Sequence, residues 1–156
     1  MADALGLVVT TWAPLGGGVL TGRYGTQLAR PTDTRLAGIG GHHEKTTARE
    51  RNLKIADVAN AIANERGATT SQVAIAWILA QRQRASLVPI LGVRTSAQLK
   101  DNLRALEIHL GTEELERLDQ VSAVDLGFPH DFDTGRLVYG DTEALIDNRR
   151  DPGGFR

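Results

Sequence analysis

An α/β fold follows from three features of the sequence. Two short aliphatic and β-branched runs, Leu7 to Thr11 in "LGLVVTTWAPLGGG" and the stretch "SLVPIL", read as strands bounded by turn residues. Further stretches carry apolar residues at helical spacing, some between the two runs and some after the second. The order strand, helices, strand, helices is that of parallel strands joined by helical crossovers. Two strands are few for such a sheet, because a parallel strand needs neighbours on its edges and helices on its face. The chain therefore reads as part of a larger sheet.

Taken in order, the first run reads as a buried strand that stops at Pro14 and Gly16 to Gly18. Residues 16 to about 46 show no clear period and include "GGHHEK", an excursion of the kind that is usually functional or mobile. Thr47-Ala-Arg-Glu50 fits a capping box, and Ile55, Val58, Ala59 and Ile62 follow at helical spacing until Gly67. Thr69-Thr-Ser-Gln72 offers a second box, with Val73, Ala74, Trp77 and Ile78 as one apolar face. In "SLVPIL", Pro89 would be awkward in the middle of a ladder. A third box, Thr95-Ser-Ala-Gln98, starts a helix with Leu99, Leu103 and Leu106 on one face. "LGTEELERLDQVS" gives a fourth helix, with Thr112 as its cap, Glu113 and Glu114 complementing the dipole, and Leu115, Leu118 and Val121 in register. From Val124 onward no period is sustained, so the chain divides into a domain over 1–123 and a tail over 124–156.

Composition narrows the function classes. The 156 residues suit one domain or part of one, and 41% apolar and 24% charged residues are ordinary for a globular protein. Eighteen Lys and Arg against 19 Asp and Glu give a net charge of −1, which argues against a dedicated nucleic-acid binder. With no cysteine there is neither a disulfide framework nor a thiolate metal site. "MADALGLVVTTWAPLG" lacks the basic start of a signal peptide and its apolar run is too short to span a bilayer, so a soluble, cytoplasmic protein without membrane partners is expected.

The chemistry concentrates at two junctions. In "ILGVRTSAQLKDN", Gly92 lets backbone approach a ligand closely and Arg94 offers a guanidinium to an anion. The amides of a helix start follow directly and favour phosphate through hydrogen bonding and the dipole. Gln98 and Asn102 lie one turn apart on the same side, placed for a base edge or ribose. An ordinary capped strand-to-helix connection fits the same spacing. In "TTWAPLGGGVLTGRY", Trp12 could offer a flat face to an aromatic ring, and Gly16 to Gly18 could admit a pyrophosphate. The glycines do not have the G-x-G-x-x-G spacing of a Rossmann turn, and a flexible loop behind a core tryptophan fits equally.

Together the stretches "WAPLGGGVLTGRY" and "VPILGVRTSAQLKDNLRALEIHLGTEELERLD" resemble the end of the aldo-keto reductases, particularly the branch containing the potassium-channel β-subunits and related bacterial oxidoreductases. The resemblance covers about residues 3 to 123, and "GFPHDF" looks like the tail of some bacterial members. It implies the C-terminal portion of a (β/α)8 TIM barrel, about the last two β/α units, whose loops after strands 7 and 8 often hold phosphate. It also implies NADP as cofactor. By position, Trp12 matches the residue that stacks on the nicotinamide, and Ala13, Pro14, Leu15, Gly16 and Gly17 match the segment that follows the cofactor. Arg23 matches a basic position facing the pyrophosphate, and Arg35 a further basic contact. Gly92, Arg94, Gln98, Asp101 and Asn102 match the stretch that holds the adenosine end and its 2′-phosphate. Ala13 stands where serine is common, and Arg23 where lysine is, which keeps the charge but changes the geometry.

Members of this family reduce a carbonyl with a tyrosine acid assisted by lysine, aspartate and histidine from earlier strands. Neither Tyr24 nor Tyr139 occupies a matching position, and both read as packing or surface residues. No catalytic residue is therefore assigned, and this chain alone is expected to be inactive, although its parent protein would reduce a small-molecule aldehyde or ketone. The competing reading is a non-catalytic nucleotide-binding or interaction module, a half-barrel that self-associates to cover its open edges. A third is a full barrel whose working start lies upstream. His42, His43 and Glu44 lack a further well-spaced metal ligand and read as a solvated loop, and His130 and Asp131 as tail packing or a substrate-side contact.

Overall fold

The computed structural model describes residues 2–24, 26, 50–81 and 85–125. Its strands are β1 (Val8–Thr11) and β2 (Ser86–Pro89), and its helices are α1 (Glu50–Arg66), α2 (Thr70–Ala80), α3 (Ser96–Leu103) and α4 (Thr112–Ser122). Short 3-10 segments lie at Asp3–Leu5, Gly16–Thr21 and Arg104–Glu107. Residues 1–122 group as one compact unit, and of the remainder only 123–125 are described.

The strands pair in parallel, Val8 opposite Ser86 and Thr11 opposite Pro89. Beyond the last pair, Ile90 N–H donates to the Thr11 carbonyl at 3.0 Å. Pro89 sits at the final ladder position, where its missing amide costs no bond to β1. Side chains alternate as a pleat requires: Val9, Thr11, Leu87 and Pro89 are half-buried, whereas Val8, Thr10, Ser86 and Val88 are exposed. The expected burial of β1 is therefore corrected. Among the described residues the face that bears Val8 and Val88 is left uncovered, and Val8 is 61% exposed.

The helix starts follow the capping chemistry. Thr69 accepts from Gln72 N at 3.3 Å while the Gln72 side chain accepts from Thr69 N at 3.2 Å, a complete box. Thr95 accepts from Gln98 N at 3.2 Å, but the Gln98 side chain reaches one residue further back than a box requires, to Arg94 N at 2.9 Å. Thr112 is already the first helical residue of α4, so it is not the cap. Glu114 instead turns back to accept from Gly111 N at 2.6 Å, satisfying an amide that the helix cannot. Gly67 ends α1 with φ of 63°, as its position after the last periodic residue suggests. The box at Thr47 lies outside the described residues.

The core forms where the apolar faces of α1, α2 and α4 meet. Ala59, Ile62, Ala63, Val73 and Leu118 are buried together, with Val58, Trp77 and Leu110 packed around them. Val19, Tyr24 and Ala56 make a second cluster, which places Tyr24 as a packing residue. Trp77 keeps its indole N–H satisfied by donating to Asp119 Oδ1 at 2.9 Å. Leu99, Leu103 and Leu106 depart from expectation. They are exposed, and the side that α3 and the following 3-10 turn bury is that of Asn102 and Ala105.

Charge ties α1 to α4 at the surface. Arg66 grips Glu114 with two nitrogens, and Arg117 grips Glu65 at 2.9 and 3.0 Å. The Arg66 hydrogen bonds hold the Glu114 carboxyl below its ordinary value, opposed by partial burial and reinforced by Gly111 N–H. Because the folded value is depressed, this stabilisation is present above the ordinary value of 4.5 and is lost as pH falls through the folded value.

Two outcomes are expected. Leu118→Ala, which empties the centre of the three-helix core, should cost roughly 2–5 kcal/mol in a denaturant titration. Glu114→Gln should flatten the acid limb of a stability-against-pH curve; an unchanged acid limb would show that the carboxylate contributes nothing there.

Candidate functional site

Parallel pairing sets the site's position. Both strands run the same way, so both loops that leave their C-terminal ends emerge at one edge of the unit, and the Ile90–Thr11 bond holds the two exits together. One exit is Trp12 to Arg23 and the other is Leu91 to Arg94, followed by α3. Ligands of open α/β sheets and barrels bind at this end.

On the first exit Trp12 is 81% exposed, which removes the alternative of a core tryptophan and leaves its indole face open. Ala13 follows in the left-handed region at φ 52°, the one described non-glycine residue there. That conformation costs a residue with a Cβ roughly 1–2 kcal/mol. Ala13 O accepts from Gly16 N at 2.8 Å, so Pro14 and Leu15 form a closed turn. Gly16, Gly17 and Gly18 continue at φ 57°, 65° and 105°, a run that only glycine follows without strain. The segment then closes through Thr21, whose hydroxyl donates to Gly18 O at 2.7 Å. Arg23 is exposed just beyond it.

On the second exit Gly92 has neither a left-handed φ nor a neighbour within 4 Å of where a Cβ would stand. Neither local backbone nor packing asks for glycine there. Arg94 is exposed, and its guanidinium makes no ion pair among the described residues. Ser96 and Ala97, at the first helical positions of α3, have amides with no intrahelical acceptor. Gln98 has its carbonyl oxygen engaged by Arg94 N and retains its amide N–H groups as donors. Asn102 is buried at 7% exposure.

Asp101 is engaged inside the protein. Its Oδ1 accepts from Gln72 Nε2 at 2.7 Å and its Oδ2 from the Thr69 hydroxyl at 3.2 Å, while its carbonyl accepts from the same Gln72 nitrogen at 3.0 Å. These partners escape sequence reasoning. The Thr69–Gln72 box is visible in the sequence, but not that its far side meets a residue of α3. Thr11 was also missed as a polar feature: its hydroxyl oxygen is buried at the end of β1 without a partner among the described residues. Arg35, His42, His43, His130 and Tyr139 lie outside the described residues. Among the described residues no cluster of His, Asp or Glu could hold a metal, and no helix is long and apolar enough to cross a membrane.

The model of the Aldo/keto reductase family matches residues 1–123, nearly the whole described part and both exits. The chain belongs to this family. A Saccharomyces cerevisiae protein named "Putative aryl-alcohol dehydrogenase" is 30% identical over 132 residues, covering 85% of this chain and 84% of that protein. Aldo-keto reductase ausK of Aspergillus calidoustus is 34% identical over 134 residues, or 84% of this chain and 32% of that protein. L-glyceraldehyde 3-phosphate reductase of Escherichia coli is 31% identical over 119 residues, or 74% of this chain and 33% of that protein. This aldo-keto reductase chain thus spans about a third of the length of the last two, and 39% of another yeast relative named for aryl-alcohol dehydrogenation.

Replacing Ala13 by glycine should relieve the left-handed strain beside Trp12. A chain more stable by about 0.5–1 kcal/mol is expected in thermal or denaturant unfolding, the gain being partly offset by the looser unfolded state.

Proposed function

We propose that this chain is the NADP-holding end of an aldo-keto reductase, an incomplete (β/α)8 barrel in which β1 and β2 occupy the last two strand positions. The observation that carries the reading is the junction of the two exits, where Ile90 N–H on Thr11 O brings the Trp12 loop and the Gly92–Arg94 loop off the same end of a parallel pair. The residues suit a dinucleotide phosphate. Trp12 gives an open aromatic face for a ring, and the left-handed glycine run gives backbone that an anion can approach. Arg94 with the Ser96 and Ala97 amides gives a positive grip for a terminal phosphate, with Gln98 N–H groups beside it. Arg23 would lie toward the pyrophosphate and Asn102 toward the adenosine. When bound, such a cofactor supplies hydride chemistry at its nicotinamide ring.

In a complete barrel that chemistry would interconvert a carbonyl and an alcohol, a substrate class in keeping with relatives named as aryl-alcohol dehydrogenases and as an L-glyceraldehyde 3-phosphate reductase. Tyr24 is buried against Val19 and Ala56, so it is not an acid at this edge. We infer that this chain holds and orients the cofactor and that proton transfer belongs to residues outside it. The exposed face of the strand pair, with Val8 and Val88, favours a second role in which the open sheet is covered by self-association.

Titrating the purified chain with NADPH should quench the fluorescence of Trp12 and raise the melting temperature, with NADH binding more weakly. Gly92→Val should weaken NADPH by about tenfold or more while leaving the melting point nearly unchanged, since its new side chain meets open space. Absence of both quenching and stabilisation would sink the cofactor reading, and aldehyde reduction by this chain alone would overturn its inactivity.

A further inference from the structure

We propose that Gln72 is a positioning residue for the phosphate grip, acting through Asp101; this rests on the cofactor reading above. Helix α3 bears the grip and is poorly anchored by apolar contacts. Only Asn102 among its residues is buried, and Leu99 and Leu103 are 40% and 48% exposed. Helix α2 is the opposite case, with Thr70 through Ala76 all buried. The link between the firm helix and the loose one is polar. Gln72, 4% exposed, donates through Nε2 to the carbonyl and the carboxylate of Asp101, and the Thr69 hydroxyl donates to the other carboxylate oxygen. The Asp101 charge also sits at the N-terminus of α2, where the helix dipole favours it. One turn before Asp101 stands Gln98, which in turn accepts from Arg94 N at 2.9 Å. A continuous chain of bonds and one helical turn thus runs from the core to the guanidinium-bearing loop.

The residue type supports this role. A capping box needs only a side-chain oxygen at position 72, which glutamate supplies as well as glutamine. Glutamine adds the nitrogen, and that nitrogen is the atom that holds Asp101. Glutamate there would keep the cap of α2 but set a carboxylate 2.7 Å from Asp101 Oδ1.

The test is a charge exchange in the full chain, read by NADPH affinity and by amide hydrogen exchange over residues 96–103. Gln72→Glu is expected to weaken NADPH about tenfold and to speed exchange in α3. The double variant Gln72→Glu with Asp101→Asn, in which an amide again faces a carboxylate although the bond to the residue 101 carbonyl stays lost, should recover part of both losses. Arg94→Gln should weaken NADPH without changing exchange in α3, separating loss of a contact from loss of position. Should Gln72→Glu fold poorly, Asp101→Ala leaves the box of α2 intact and should show the same two losses. The proposal is overturned if exchange in α3 does not respond, or if the double variant is no better than the single one. A wild-type chain that binds no NADPH overturns the cofactor reading and this role with it, whereas intact binding with an unresponsive α3 overturns the positioning role alone.

Discussion

Parallel strands cannot be joined by a tight turn, and much of the described structure between Thr11 and Ser86 answers to that constraint. The chain must travel the length of the sheet and return, and α1 and α2 are the described part of that return. Their packing through Ile62 and Val73, with Leu118 of α4 closing the third side, holds the crossover together. The same constraint brings both loops out at one edge. Pairing direction, more than any single side chain, makes a site available there.

Local chemistry was legible in the sequence and tertiary consequence was not. The Thr69–Gln72 box, the stop at Gly67 and the apolar face of α1 could all be read from spacing, because each depends on residues within one or two turns. The cap of α4 was misplaced by one residue, since a carboxylate reaching back to Gly111 leaves no pattern that Thr112 does not also satisfy. The leucines of α3 misled for a different reason. Helical period says which residues share a face, not whether anything lies opposite that face. In the same way spacing drew notice to the triple glycine and Trp12 without interpreting them, and their φ and exposure are visible only in the folded chain. The family resemblance supplied a reading, through the order and separation of two long motifs.

Different forces secure the two halves of the candidate site. The Trp12 loop begins in short turns and left-handed residues of its own backbone, and its later part is pinned to α1 by Val19 packed on Ala56. The Arg94 side depends on distant polar partners on α2. The turns from Ala13 to Gly18 close on themselves, whereas a tethered helix inherits any movement of the body to which it is tied. Two candidate binding elements side by side can therefore differ in how they respond to mutation elsewhere.

Pro89 has an effect beyond its own ladder position. Amides along a strand point alternately to either side, and the bond from Ile90 to Thr11 fixes the side on which residue 90 donates. Position 89 must then face away from β1, where a proline has no hydrogen to give. The outer margin of β2 is thus blunted at its downstream end. A strand joining that margin can bond to Leu87 but finds no donor two residues later, so its register is restricted and indiscriminate stacking of sheet upon sheet is discouraged. The residue that looked awkward in a ladder acts as a gatekeeper on the side of the strand where no ladder is seen among the described residues.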